Sequence, residues 1–243
     1  MLVGVYIDGF NLYYGARALC GKSTPGWRWL DLRGLARRLI QTHSTWSSEL
    51  TLEVTYCTAR IKGSGSDRGR NSQDVYLRAL SHGGYVDRIE YGKYVERIAY
   101  TPLAIEGPNG RPSIVQPEWP IRVQDGGRSH VDDALFMASV VRREEKGSDV
   151  NVAAHLLLDV LQGQVDGALV ISNDSDLRLP LVEARKRVPT GLVNPTPKPL
   201  AGDLRGSARD GVGNHWWARL AAEDLTSSQM PGAVGRARRP PHW

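Results

Sequence analysis

Apolar runs and amphipathic segments alternate over most of this chain. Short runs of aliphatic and β-branched residues, typical of buried strands, are separated by segments whose apolar residues recur at helical spacing. An order of strand, helix and strand favours right-handed crossovers and a mainly parallel sheet covered on both faces. We therefore predict an α/β fold with a mainly parallel central sheet. The predicted strands cover residues 2–8, 51–59, 85–91, 136–143, 167–172 and 190–193, and the predicted helices cover residues 11–19, 32–41, 71–82, 150–161 and 177–188.

Two segments interrupt this alternation. Residues 93–135 are rich in proline and glycine, which predicts an irregular insertion rather than an element of the core. Further on, the composition turns to Pro, Gly and Arg, and we expect one helix at 215–225 followed by a loosely attached, basic tail from Pro231. The predicted organisation is a domain of residues 1–195 that contains the insertion, and a C-terminal extension of residues 196–243.

The composition limits the classes of protein to consider. With 243 residues, of which 41% are hydrophobic, the chain can bury a sizeable core. Its apolar stretches are too short to span a membrane, and its first residues lack the order of a signal peptide, so we expect a cytoplasmic protein. Two cysteines are too few for a disulfide framework or a zinc knuckle, and we interpret both as structural thiols.

Acidic residues follow two of the predicted strands directly. Asp8 ends the first apolar run, and Asp174 and Asp176 come just after the strand at 167–172. In open α/β sheets, ligands bind outside the carboxyl ends of the strands, and a parallel sheet brings those ends to one edge. A pair of carboxylates at this edge indicates a cation site.

Three phrases of the chain resemble, in order, the motifs of NYN domains. They are YIDGFNLY at residues 6–13, EKGSDVN at 145–151 and ISNDSDL at 171–177. NYN domains belong to the PIN-like nuclease superfamily and include the bacterial LabA-like proteins. The resemblance covers roughly residues 1 to 195, and three phrases in the right order make it fairly specific.

This resemblance implies a three-layer α/β/α sandwich of the PIN-like type, with a ribonuclease site that depends on Mg²⁺ or Mn²⁺. Carried over by position, Asp8 matches the acid after the first strand and Asn11 the polar residue of the same loop. Asp149 matches the acid that opens the central helix, and Asp174 and Asp176 match the pair after the fourth core strand. We expect Asp8 and Asp174 to bind the cation directly, and Asp149 and Asp176 to bind it directly or through water. Asn11 would orient a water or a phosphate oxygen.

Each of these residues also has a purely structural interpretation. Asp8 precedes Gly9, and Asp-Gly is a common turn signal. Asp149 and Asp176 stand where N-caps of helices stand, although capping and cation binding are compatible. Asn11 has the alternative of satisfying backbone groups within its own loop.

The helix predicted at 150–161 departs from the NYN pattern at one position. Many NYN relatives carry a second acid six residues after the one that matches Asp149, and this chain has His155 there. The histidine either removes part of a second cation position or ligates in place of the acid, although oxygen-rich sites suit Mg²⁺ and Mn²⁺ better. Asn151, His155 and Asp159 form one polar stripe, which belongs either to the solvent face of the helix or to the edge of the site.

Basic residues indicate an anionic partner. Lys and Arg outnumber Asp and Glu by 31 to 26, for a net charge of +5. The Gly- and Ser-rich segment after the strand at 51–59 stands on the predicted ligand side, and there we expect contacts with RNA phosphates. The residues assigned to RNA binding are Arg60, Lys62, Arg68, Arg70 and His155.

Three functional classes follow. The first is a divalent-metal-dependent ribonuclease that hydrolyses RNA phosphodiester bonds, with Mg²⁺ or Mn²⁺ as cofactor and single-stranded or structured RNA as partner. The second is a catalytically weak RNA-binding or regulatory protein that keeps the fold. The third, a phosphatase of the haloacid-dehalogenase type, needs an Asp where this chain has Phe10. The insertion and the C-terminal extension offer surface for a second copy or a regulatory partner.

Overall fold

A computed structural model describes residues 1–47, 49–61, 67–118 and 120–243 of the chain. These residues form two compact units, one of residues 1–94 with 145–243 and one of residues 95–144. Within the described ranges, no helix has the length and apolar character needed to cross a membrane.

The elements follow the predicted alternation. The strands are β1 (Leu2–Asp8), β2 (Thr51–Thr58), β3 (Arg88–Tyr91), β4 (Lys93–Pro102), β5 (Ala104–Glu106), β6 (Pro112–Ile114), β7 (Met137–Lys146), β8 (Gly167–Ile171), β9 (Thr190–Asn194), β10 (Trp216–Arg219), β11 (Ala233–Val234) and β12 (Ala237–Arg238). The helices are α1 (Gly9–Cys20), α2 (Leu32–His43), α3 (Asp67–His82), α4 (Ser148–Leu161), α5 (Arg178–Arg185) and α6 (Ala222–Ser227).

The larger unit is built on a six-stranded parallel sheet. Its strand order is β10-β9-β8-β1-β2-β3, and all five neighbouring pairs are parallel. Side chains alternate between the faces of a strand, so Val5 and Ile7 of β1 join the core formed with α1, α2 and α3, whereas Tyr6 joins the core formed with α4 and α5. The predicted α/β class, with helices on both faces of a mainly parallel sheet, is confirmed.

Helix boundaries agree with the sequence where side chains cap them. The carboxylate of Asp31 accepts a hydrogen bond from the N–H of Gly34 (2.7 Å), so α2 begins where it was predicted to begin. By contrast, α3 begins at Asp67 rather than at residue 71. A glycine inside a helix costs only about 1 kcal/mol, which explains why Gly69 does not delay the start of the helix.

The smaller unit is less irregular than its composition predicts. β4 pairs with β7, and β5 forms an antiparallel hairpin with β6. Pro102 is the last residue of β4 and Pro112 is the first residue of β6. Proline is tolerated at such positions, where a missing amide donor disrupts no ladder. The expectation of an insertion without regular structure is therefore wrong, although the strand predicted at 136–143 is confirmed as β7.

The segment predicted as a helix at 215–225 begins as a strand. β10 adds to the edge of the sheet beside β9, with Trp216 opposite Gly191, and only α6 is helical. A Cβ atom at Gly191 would lie 2.4 Å from the ring of Trp216, so the indole packs directly on the glycine backbone. Pairing with β9, which is distant in sequence, overrides the local helical pattern.

The residues after Pro231 are packed against the larger unit, contrary to the expectation of a loosely attached tail. Nε1 of Trp29 donates to the carbonyl oxygen of Pro231 (2.7 Å), and the N–H of Met230 donates to the carbonyl of Trp29 (2.9 Å). The ring centroid of Trp243 lies 5.7 Å from that of Tyr76. The C-terminal extension therefore contributes to the same core as β1.

His215 joins β9 to the loop that precedes β10, and its protonation state matters for stability. The imidazole is buried, Nδ1 accepts the N–H of Thr190 (3.0 Å), and Nε2 then donates to the carbonyl of Asp210 (2.5 Å). The contact with Thr190 requires the neutral ring, because a protonated Nδ1 cannot accept a hydrogen bond, and burial lowers the pKa of His215 below its usual 6.5.

We expect the free energy of unfolding to fall as the pH drops through 6.5, because the unfolded chain then binds a proton that the folded His215 resists. His215→Gln should flatten this dependence while lowering stability at neutral pH. Urea unfolding over a pH series measures both effects. The exposed His82 provides the control, since His82→Gln should keep the wild-type dependence; an equal slope in all three proteins would contradict the prediction.

Candidate functional site

Asp8 lies where β1 ends and α1 begins. Its Oδ1 accepts hydrogen bonds from the backbone N–H groups of Phe10 (3.1 Å) and Asn11 (3.0 Å), which makes it the N-cap of α1. Its Oδ2 accepts from Nδ2 of Asn11 (3.1 Å) and from Oγ of Ser172 (3.2 Å). A carboxylate offers about four acceptor positions, so donors occupy all of those on Asp8.

Ser172 and Asn173 connect the end of β8 to this loop, and neither was predicted as a site residue. The buried Oγ of Ser172 donates to Asp8 and accepts the N–H of Asp174 (3.2 Å). The N–H of Asn173 donates to Oδ1 of Asn11 (3.2 Å), which fixes the direction of that amide. A serine directly after a run of buried β-branched residues was the only sign in the sequence.

Asp174 and Asp176 are placed differently. Oδ1 of Asp174 accepts the N–H of Asp176 (3.0 Å) and caps the 3₁₀ turn Ser175–Leu177 that leads into α5. Within the described part of the chain, no donor reaches Oδ2 of Asp174, and none reaches the carboxylate of the exposed Asp176. One carboxylate oxygen of Asp174 thus accepts a backbone hydrogen bond, and the other has no described donor and is open to a cation.

The electrostatics of Asp8 reflect its position. Burial raises the pKa of the Asp8 carboxyl above its usual 3.8, and the charge of Asp174 raises it further, against the lowering effect of the hydrogen bonds from Asn11 and Ser172. Oγ of Ser172 contacts the carboxylate of Asp8 and the backbone N–H of Asp174, so the structure brings these two residues to one edge of the sheet. The charge of Asp174 disfavours the charged form of Asp8, and a cation between the two carboxylates would relieve this repulsion.

The described residues include no group of three or more His, Cys, Asp and Glu side chains close enough to hold a metal ion. The expected cluster of four acids is therefore not assembled in this conformation. The candidate metal ligands at the edge of the sheet are nevertheless all oxygen atoms, which suits Mg²⁺ or Mn²⁺. Mg²⁺ commonly takes only one or two protein carboxylates. Asp174 offers an open oxygen. On Asp8, Oδ2 is held only by side chains that can rotate.

Asp149 lies in the first turn of α4, at the same edge of the sheet. Glu145 caps this helix by accepting hydrogen bonds from the N–H (3.0 Å) and Oγ (2.7 Å) of Ser148. Cys57 pairs in register with Asp8. Burial raises the pKa of the Cys57 thiol to about 12, and nearby negative charges, those of Asp8 and Glu145 among them, add to this rise. Asp149 is thus not the cap of α4, and no donor among the described residues engages its carboxylate.

The polar stripe of α4 faces the sheet rather than solvent or a groove. Nδ1 of His155 accepts from Nη1 of Arg88 (2.7 Å), and its Nε2 lies 3.3 Å from Oε1 of Glu90. The hydroxyl of Tyr6 donates to Oδ2 of the buried Asp159 (2.9 Å). For His155 and Asp159, the predicted location on the solvent face is wrong. With both ring nitrogens engaged, His155 has none left for a phosphate or a cation.

The structure places the basic residues assigned to RNA binding on different elements of the fold. Arg60 pairs with Asp74 (2.6 Å) and its guanidinium lies over the ring of Tyr91. Arg68 and Arg70 are exposed, but they belong to the first turns of α3 and not to a loop. Lys62 lies outside the described residues.

A cavity of about 430 Å³, here called the aromatic pocket, opens beside the start of α1. Its described lining includes Lys22, Arg28 and Arg68 but no acidic residue. Sequence reasoning missed it because its walls come from α1, α3, the loop before α2 and the last residues of the chain. The rings that line it include those of Phe10, Tyr13, Tyr14, Trp27, Tyr76 and Trp243.

No protein-family model matches the chain, but comparison with known proteins gives a curated relative. The chain is 30% identical over 248 residues to 6-hydroxy-3-succinoylpyridine 3-monooxygenase HspA of Pseudomonas putida (strain DSM 28022 / S16). This alignment covers 95% of the chain and 70% of HspA. A solved structure of a protein of unknown function from Vibrio parahaemolyticus RIMD 2210633 aligns with a TM-score of 0.43 and 14% identity, over 92% of this chain and 94% of the other. The resemblance to NYN domains stays a prediction.

Proposed function

This chain belongs to the family of HspA from Pseudomonas putida, and we propose that it is a divalent-metal-dependent ribonuclease that hydrolyses RNA phosphodiester bonds. Membership of a family at this identity does not fix the reaction, because one fold hosts many chemistries and the reaction follows from the site. The observation that carries the proposal is the meeting of Asp8 and Asp174 at the carboxyl edge of a parallel sheet, where Oγ of Ser172 contacts both residues and the charge of Asp174 helps to raise the pKa of Asp8.

Asp174 and Asp8 would hold the cation, with Asp149 and Asp176 as direct or water-mediated partners. A bound Mg²⁺ or Mn²⁺ supplies an activated water and neutralises the charge on the leaving oxygen. Ser172 and Asn11 keep the two strand ends in register, since each contacts both the β1 end and the β8 end.

The remaining groups would act on the substrate. Asp176, whose carboxylate is exposed and without a described donor, would orient the water or accept its proton. Lys22 and Arg68, at the neighbouring aromatic pocket, would contact the phosphates of the RNA strand. The weak or inactive RNA-binding protein remains the alternative within this proposal, since its contacts with RNA would be the same.

A second candidate is oxygenation of an aromatic acid. It is favoured by the name of the relative, a monooxygenase acting on a succinoylpyridine, and by an aromatic pocket lined with cations. Such a reaction consumes O₂ and two electrons from an external reductant, places one oxygen atom on the ring and releases the other as water. Consumption of O₂ and of a reductant is therefore expected for the oxygenase and not for the ribonuclease.

The test is an assay of end-labelled single-stranded RNA with the purified full chain. We expect cleavage with Mg²⁺ or Mn²⁺, loss of cleavage with a chelator, and recovery when the metal is added back in excess. Cleavage that persists in the chelator would contradict the metal-dependent mechanism.

A parallel assay addresses the second candidate. O₂ uptake is followed with a reduced nicotinamide or flavin, with and without 6-hydroxy-3-succinoylpyridine, and the organic product is analysed by mass. We expect no substrate-dependent uptake. A pyridine product that carries one oxygen atom from ¹⁸O₂, formed with or without loss of the succinoyl group and without any RNA cleavage, would favour the oxygenase. RNA binding without either reaction would identify the inactive alternative.

A further inference from the structure

Aromatic side chains are unusually open to solvent at the aromatic pocket. Tyr13 is 43% and Tyr14 is 56% exposed, although both lie on α1 beside buried residues. Their ring centroids are 5.3 Å apart, and that of Tyr13 is 5.7 Å from that of Trp27. Trp27 is buried and supports Tyr13, whereas the two exposed tyrosine rings provide stacking positions at the cavity for another planar ring.

The charged residues that the structure describes in the lining of the pocket are all basic. Arg28 is partly engaged: it donates to the carbonyl oxygens of Thr24 (3.1 Å) and Lys22, and its guanidinium lies 4.1 Å from the ring centroid of Trp27. Lys22 and Arg68 are exposed, and no carboxylate among the described residues forms an ion pair with either. Cations that line a pocket without a described acid attract an anionic group.

We propose that the aromatic pocket binds a planar aromatic ring that carries an anionic group. The ring stacks on the exposed side chains of Tyr13 and Tyr14 of α1, and the anion lies against Lys22 and Arg68. The volume of about 430 Å³ is within the range of small-molecule sites. A nucleotide phosphate and an aromatic carboxylate share this chemistry. The proposal does not rest on the ribonuclease reaction, because binding requires neither the cation nor turnover.

Calorimetric titration of the full chain in the presence of a chelator tests this proposal with matched ligands. Uridine 5′-monophosphate is compared with uridine, and benzoate with benzamide, so that each pair differs in the anionic group. For at least one pair, the anion should bind roughly tenfold tighter than its neutral partner, and the difference should shrink as salt is added. The pair with the larger ratio identifies phosphate or carboxylate as the source of the charge.

Substitutions separate the contribution of charge from that of the rings. Lys22→Gln and Arg68→Gln should weaken binding of the anion several-fold and leave the neutral ligand unchanged, whereas Tyr14→Ala should weaken both members of a pair. Arg78→Gln is the matched control, because Arg78 is an exposed arginine of the same helix, about 15 Å further along, and it does not line the pocket.

The proposal would be overturned if neither anion bound, if the neutral ligands bound equally well, or if both charge substitutions left the affinity for the anion unchanged. All substituted side chains are exposed, and near-ultraviolet circular dichroism verifies that each variant keeps the packing of its tryptophans. Because no metal is present, a failure here is distinct from a failure to cleave RNA.

Discussion

Replacing Asp174 by Asn is expected to reduce RNA cleavage by about 10²- to 10³-fold, which corresponds to a loss of about 3–4 kcal/mol of transition-state stabilisation. The substitution removes the charge of the carboxylate whose Oδ2 no described donor engages. The remaining amide oxygen can still accept the N–H of Asp176, so the cap of the 3₁₀ turn and the fold should survive. The initial rate at saturating Mn²⁺ and the thermal melting curve measure the two parts of this prediction.

The matched control for Asp174→Asn is Asp166→Asn. Asp166 is an exposed aspartate just before β8, at the opposite edge of the sheet, and its carboxylate also accepts a backbone N–H, that of Leu2 (2.7 Å), so the substitution changes the charge by the same amount away from the site. We expect its cleavage rate to equal that of the wild type. If Asp174→Asn and Asp166→Asn cleave RNA equally well, Asp174 does not hold the cation and the proposed mechanism fails. An equal loss in both variants would point to net charge instead.

Gly15→Ala is expected to lower the free energy of unfolding by about 2 kcal/mol, although alanine is the better helix former. Gly15 lies in α1, and a Cβ atom there would lie 2.1 Å from the carbonyl oxygen of Pro195 and 2.6 Å from its carbonyl carbon. These are backbone atoms, so the helix or the loop after β9 must move. Urea unfolding at neutral pH measures the change.

The same substitution should affect the candidate site. The loop after β9 is held by Asn173, whose Nδ2 donates to Pro199 and whose Oδ1 accepts the N–H of Ala201 (2.9 Å). A displaced loop would pull on the β8 end next to Asp174, so we expect slower cleavage as well. Gly202→Ala is the control, because a Cβ atom at Gly202 meets nothing within 4 Å. A stability equal to that of this control would contradict the prediction.

The sequence was informative where local pattern and capping determine the structure. The apolar run of β1 and the cap of Asp31 required no knowledge of distant residues. The meeting of Asp8 with Asp174 was also predictable, because parallel strands end at one edge. The resemblance to NYN domains added specific residues to this expectation.

Other features depended on packing that no local pattern encodes. Ser172 acts in the site only because β8 pairs with β1 in one register. His155 was assigned to RNA binding because the sequence does not show that Arg88, 67 residues away, occupies its ring nitrogen. The aromatic pocket needs rings from opposite ends of the chain, and β10 becomes a strand only through β9.

The contacts between Trp29 and the residues around Met230 set the order in which the protein can mature on the ribosome. Trp29 is synthesised early, yet the groups that bind its indole and its carbonyl follow some 200 residues later. Until they emerge from the ribosome, a large apolar ring beside α2 stays uncovered. Nascent chains of this protein should therefore expose a chaperone-binding surface for most of their synthesis, and lose it only near the end.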